Sequence, residues 1–197
     1  MVGSIGAPPE KLGVADVAPT FVRAARDADP SVDHLVADGT ALPFDDATFD
    51  VATAFMSVMD VPDPGAVLAE MARVVRPGGW VQFSITHPAS STPEREWIRA
   101  SDGSKRLLAT GGYFDEGPIT ETWSFGSAPD DLLEQYEPFT ITWSRRTLSS
   151  WLNLVLEIGL TIDRVAEPVA SPEVAARHPE VADTRITPYF LIVRARV

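Results

Sequence analysis

The chain has 197 residues, 45% hydrophobic and 22% charged, with no cysteine and a net charge of −12. This length suits one domain with a substantial core, and the lack of cysteine excludes a disulfide framework, a thiol nucleophile and a cysteine metal site. So acidic a surface repels phosphate backbones, which argues against nucleic acid as a substrate.

No long uncharged apolar run is present, so no membrane helix is expected. The opening stretch MVGSIGAPPEKLG has neither the basic start nor the apolar core of a signal peptide, and the expected location is the cytoplasm.

From Leu12 to Thr86 the pattern alternates strand and helix, which predicts βαβ units and a parallel sheet. The apolar run Leu12 to Ala15 ends on Asp16, and the run Val32 to Ala37 ends on Asp38. Strand ends are where ligands sit in open α/β sheets. Between them, Pro19 to Ala28 predicts a helix with Pro19 in the tolerated first turn. Phe49 to Phe55 reads as a strand.

The next helix starts at Asp63 as cap and Pro64 as first residue. Val67, Leu68, Met71, Val74 and Val75 form its buried stripe, and Arg73 and Arg76 fall in its last turn, where cations offset the helix dipole. Pro77-Gly78-Gly79 ends it, and Trp80 to Thr86 reads as a buried strand.

Residues 88–146 break the rhythm. They are rich in Pro, Gly, Ser and aromatics (Trp97, Tyr113, Phe114, Trp123, Phe125, Tyr136, Phe139, Trp143), and read as a substrate-side insertion in a single domain spanning 1–197. The aromatics suit an apolar pocket or the insertion's own core. Regular packing resumes with Thr147 as cap, a helix carrying Leu148, Trp151, Leu152, Val155 and Leu156, and Gly159 as stop. Leu160 to Ala166 and Tyr189 to Val197 read as an antiparallel pair at the sheet edge, joined by a polar loop.

The segments GVADVAP (13–19), VADGTALPFDDATFDVA (36–52), VPDPGAVLAEMARVVRPGGWVQFSITHP (61–88) and TLSSWLNLVLEIGLTIDRVAEP (147–168) resemble the class I S-adenosylmethionine-dependent methyltransferases of the UbiE/type 11 group. The resemblance implies an α/β, Rossmann-like sheet, mostly parallel with an antiparallel edge strand. It also implies S-adenosylmethionine as cofactor, and methyl transfer to an O, N or C atom of a small molecule. Asp16, followed by Val17, matches the acid that holds the ribose hydroxyls. Asp38 matches the acid that receives the adenine amine, with Gly39 and Thr40 lining the ring. Phe55 and Met56 match the strand end near the methionine part. Leu42, Pro43 and Phe44 match a structural turn.

His87, after the predicted fifth family strand, is the candidate general base, or else a rim histidine held by packing. His34 and His178 carry no such expectation, and three scattered histidines give no metal-binding spacing. The family histidine after the fourth strand is replaced by Asp60.

The resemblance also implies a first strand, a glycine-rich turn and a helix ahead of residue 12, roughly 25 to 30 residues, where only Met1 to Lys11 stand. Two expectations follow: a shortened gene product, or residues 2–6 serving as a makeshift central strand. A cofactor-impaired scaffold or regulatory partner is the alternative function. A nicotinamide-dependent oxidoreductase is disfavoured, because neither Gly-x-Gly-x-x-Gly nor Tyr-x-x-x-Lys occurs. A homodimer is compatible with the chain, but no residue pattern specifies one.

Overall fold

A computed structural model describes residues 12–123 and 138–197. The expectation for residues 2–6, and the aromatics Phe125 and Tyr136, lie outside the described residues.

The first unit is a short parallel pair. β1 (Gly13–Asp16) runs beside β2 (Asp33–Val36), with Asp16 in register with Val36 and α1 (Pro19–Ala28) crossing between them. Arg26 of α1 donates twice to the His34 carbonyl of β2, which ties helix to strand.

The second unit is a four-stranded sheet. Its members are β3 (Phe49–Phe55), β4 (Val75–Thr86), β9 (Thr161–Ala166) and β10 (Phe190–Arg196), in the order β3-β4-β10-β9. β3 and β4 are parallel, whereas β10 is antiparallel to both β4 and β9. The expected antiparallel pair is therefore present, with β9 at the edge.

One face of this sheet is covered by α2 (Pro64–Val74) and α3 (Leu148–Glu157). Val67, Leu68, Met71 and Val74 of α2 meet Val81, Phe83 and Ile85 of β4, Leu191 and Val193 of β10, and Trp151 and Val155 of α3. All are buried, and together they form the main core. The caps are those the sequence predicts. Asp63 Oδ1 accepts the Ala66 amide at 3.0 Å, and Thr147 Oγ1 accepts the Ser150 amide at 3.2 Å. On the opposite face the guanidinium groups of Arg194 and Arg196 lie 4.4 and 3.7 Å from the Trp80 ring. Asp163 accepts from Arg194 at 2.6 Å.

Two boundaries differ from expectation. α2 stops at Val74 and β4 already begins at Val75, so Arg76 leaves the helix and pairs with Asp50 on β3. Phe49 pairs with Val75 and Val51 with Trp80, so the segment between bulges out of register. Gly79 sits inside this bulge, where a Cβ would come within 2.5 Å of the Asp50 carbonyl. The second difference is the loop after β9, which contains α4 (Pro172–Arg177) and a 3-10 segment Pro179–Arg185. Its polar composition concealed short helices that bury no residue.

Between β4 and α3 the described residues form two antiparallel strand pairs. β5 (Glu94–Arg99) pairs with β6 (Lys105–Gly111), and β7 (Gly117–Trp123) pairs with β8 (Phe139–Arg145). The first pair is tied to the C-terminal region by an ion pair between Lys105 and Asp183, with Lys105 also over the Trp97 ring at 4.7 Å. The second is tied to α3. Glu116 Oε1 accepts the Thr147 amide and hydroxyl, each at 2.7 Å, and the Ser150 hydroxyl at 2.5 Å. A carboxylate at a helix N-terminus is favoured by both the free amides and the dipole. The Tyr113 hydroxyl accepts the Leu148 amide at 2.9 Å. Of the aromatics, Trp143 is buried, and its Nε1 donates to Glu121 at 3.0 Å. Phe114 is open to solvent.

Trp151 is buried against Phe83, with ring centroids 6.1 Å apart. Trp151→Ala is expected to lower the unfolding free energy by about 3–5 kcal/mol, read by urea denaturation. The hydroxyls of Ser150 and Thr147 hold the Glu116 carboxyl down to about 2, below its ordinary 4.5. The stability it contributes is therefore complete above the ordinary carboxylate range and is lost as pH falls towards about 2. Glu116→Gln is expected to flatten that acid limb of a stability–pH curve.

Candidate functional site

The two acids come together through one backbone hydrogen bond. The Asp16 carbonyl, at the end of β1, accepts the Ala37 amide at 3.1 Å. Asp38 follows directly, so the carboxylates stand on neighbouring strand ends. Each uses the same device. Asp16 Oδ1 accepts the Ala18 amide at 2.7 Å and sets the entry into α1. Asp38 Oδ1 accepts the Thr40 amide at 2.9 Å and the Thr40 hydroxyl at 2.8 Å. These bonds, the amide first, hold the Asp38 carboxyl below the usual carboxylate range, so it is ionised at neutral pH. In both residues Oδ2 makes no hydrogen bond to any described residue. Each acid thus presents a second acceptor oxygen on a side chain that its own loop already holds.

The Asp38 loop closes through the Ala41 amide, which donates to the Asp38 carbonyl at 3.0 Å. Gly39 lies over Val67 of α2, and Val17 is exposed beside Asp16. Asp16, Val17, Asp38, Gly39 and Thr40 therefore form one cluster at the ends of β1 and β2.

Phe55 and Met56 belong to the other sheet, at the end of β3. The Phe55 side chain is 83% exposed. Met56 has φ 50°, a left-handed conformation uncommon for a residue with a side chain. It is held there by its amide, which donates to the Ser84 carbonyl at 3.0 Å and to Ser84 Oγ at 3.2 Å on β4. Strained backbone of this kind collects at functional sites.

His87 lies just past β4 and is 4% exposed. Its amide donates to the Tyr189 carbonyl at 2.8 Å. Its ring is engaged on both sides: Nδ1 accepts the Ala89 amide at 3.1 Å, and Nε2 lies 2.8 Å from Glu167 Oε1. An amide can only donate, so Nδ1 is the bare nitrogen and Nε2 carries the proton towards Glu167. In this arrangement neither ring nitrogen is open to a substrate. The ring thus ties the segment after β4 to the loop after β9, and the His87 amide ties it to the start of β10. Glu167, in the loop after β9, gave no signal in the sequence.

The sequence also undervalued Glu70 and Arg73. Arg73 lies on α2 beneath the turn after Thr40, where its guanidinium and the Glu70 carboxylate grip that turn. Glu-x-x-Arg at i, i+3 was the available signal, but such a pair is usually only a solvated ion pair.

Residues 8–83 match the family described as methyltransferase domain. A demethylmenaquinone methyltransferase from Mycolicibacterium gilvum is 47% identical over 78 residues, 38% of this chain and 34% of that protein. Its counterpart from Renibacterium salmoninarum is 43% identical over 60 residues, 30% of this chain and 25% of that protein. The aligned stretch thus spans about a quarter to a third of these curated relatives. The crystal structure of an S-adenosylmethionine-dependent methyltransferase from Mesorhizobium loti superposes with a TM-score of 0.77 at 24% identity, covering 95% of this chain and 80% of that one. That likeness establishes the fold. The chain thus has the class I S-adenosylmethionine-dependent methyltransferase fold, and its residues 8–83 match a methyltransferase-domain family.

Proposed function

We propose that the protein binds S-adenosylmethionine and transfers its methyl group to a small-molecule acceptor. The observation that carries this reading is the pair Asp16 and Asp38 on neighbouring strand ends, each with one oxygen that makes no hydrogen bond to a described residue. Ribose hydroxyls and an adenine amine are donors, and the donor-starved oxygens fit them. Asp16, with Val17 beside it, takes the ribose. Asp38 takes the amine, with Gly39 and Thr40 along the ring. Phe55 and Met56 meet the methionine part.

When bound, the cofactor supplies a methyl group on a sulfonium, the reactive part of the chemistry. The chain's own residues orient the nucleoside and exclude water. The strand pairs β5–β6 and β7–β8 form the acceptor side, with Trp143 in their packed part. The relatives named demethylmenaquinone methyltransferases favour a quinol-type acceptor. His87 acts as a positioning residue that holds the rim. A cytoplasmic location and no nucleic-acid partner complete the reading; no helix among the described residues is long and apolar enough to cross a membrane.

Calorimetry with S-adenosylhomocysteine tests it. Binding at about micromolar strength is expected, and Asp16→Ala or Asp38→Ala is expected to weaken it at least about tenfold, the worth of one charged hydrogen bond. A folded protein that binds neither S-adenosylmethionine nor S-adenosylhomocysteine overturns the reading. For His87, nitrogen NMR at neutral pH is expected to show an unprotonated Nδ1 and a protonated Nε2, and Glu167→Gln is expected to leave this tautomer in place. The opposite tautomer removes the rim role.

A further inference from the structure

The guanidinium of Arg73 is fully subscribed. Nε donates to Glu70 Oε1 at 2.8 Å. Nη1 donates to the Phe44 carbonyl at 2.8 Å and to Asp46 Oδ1 at 2.6 Å. Nη2 donates to the Leu42 carbonyl at 3.0 Å and to Glu70 Oε2 at 2.9 Å. An arginine side chain has five N–H donors, and all five are used. Glu70 Oε2 in turn accepts the Leu42 amide at 2.9 Å. The Arg73 carbonyl accepts the amide of Ala47, a residue in the left-handed region at φ 53°. One residue of α2 therefore grips the segment 42–47 from both its side chain and its backbone. The pairing favours both charged forms: Arg73 holds the Glu70 carboxyl down, and Glu70 first, then Asp46, raise the guanidinium.

What the segment does next links the two acids. On its N-terminal side it continues into Ala41, Thr40 and Asp38, through the closed loop already described. In its middle, the Phe44 amide donates to the Leu42 carbonyl at 2.8 Å, a tight turn around Pro43 that suits a residue with fixed φ. The turn throws the Phe44 ring against Phe49, edge-on at 4.9 Å, and onto Gly13 of β1. A Cβ on Gly13 would lie 2.8 Å from Phe44 Cζ, so a side chain at that position would have to displace the ring. Gly13 opens the four-residue strand that ends on Asp16. The same rigid segment thus touches the strand of one acid and leads into the loop of the other.

We propose that Arg73, with Glu70, is the positioning residue of the nucleoside site: it sets the spacing between Asp16 and Asp38 through Leu42 and Phe44. This rests on the reading of those acids as the nucleoside grip. The pair is hydrogen-bonded and partly buried rather than a free surface ion pair. The forked geometry is specific to arginine, since lysine offers a point charge with no fork.

The test uses the full chain with Arg73→Lys and, should that variant not fold, Glu70→Gln. The first readout is amide hydrogen exchange. Thr40 and Ala41, whose amides make no bond to Arg73, are expected to exchange about tenfold faster in the variant, while amides of β4 and β10 stay as in the parent. The second readout is affinity for S-adenosylhomocysteine against S-inosylhomocysteine, in which an oxo group replaces the exocyclic amine that faces Asp38. The parent prefers the adenine compound. The variant is expected to bind it about tenfold more weakly and to lose most of that preference. A merely destabilised core would not change the ratio. Unchanged exchange at Thr40 and Ala41, or an unchanged ratio, overturns the proposal. Should the parent bind neither compound, the proposed function falls, while the exchange result still decides whether Arg73 holds the loop.

Discussion

The contact on which the rest depends is the apolar stripe of α2 packed on β3 and β4. Val67, Leu68, Met71 and Val74 are buried there with Val81, Phe83 and Ile85. Burying a side chain of this size contributes about 1.5–3 kcal/mol, which fixes the rotation of the helix about its own axis. With that rotation fixed, the adjoining flank is fixed too. Glu70 and Arg73 can only point at the turn above, and Val67 can only lie beneath Gly39. The hydrophobic face of one helix therefore decides where a polar loop of the site rests. The two jobs are inseparable because a helix offers the residues of both faces at fixed angles.

Much of the architecture could be read before any coordinates, and the reason differs by element. α2 has a capping aspartate, an N1 proline and a periodic stripe, and these agree with one another, so its start is where the sequence puts it. β3 and α1 likewise carry strong local signals. The helix end at Val74 was less legible. The pairing of Val75 with Phe49 is a long-range contact, and it overrides the local preference of Val75-Arg76 to continue the turn. α4 was hidden because it buries nothing, and a helix with no buried face leaves no hydrophobic period to find.

The site was legible to a different depth. Asp16 and Asp38 stand out because each ends an apolar run, a signal local to a few residues. Arg73 and Glu167 do not, because their roles exist only once distant segments meet: Arg73 with Leu42 and Phe44, Glu167 with His87 across 80 residues. His87 illustrates the limit most plainly. Its place after β4 was readable, yet what a histidine can do depends on who holds its two nitrogens. Here an amide meets one nitrogen and a carboxylate the other.

A common economy runs through the strand ends. Asp16 and Asp38 each commit one carboxylate oxygen to their own loop, and the second oxygen makes no hydrogen bond to a described residue. Met56 and Ala47 each take a left-handed backbone that costs an ordinary residue about 1–2 kcal/mol. Each is held by a hydrogen bond from its own amide to a carbonyl of a neighbouring element, Ser84 on β4 and Arg73 on α2. A rigid neighbour holds a strained or polar group in one place, whether or not a ligand is present. The packed α2–β4 layer supplies that rigidity for both strained residues, for Met56 through Ser84 and for Ala47 through Arg73.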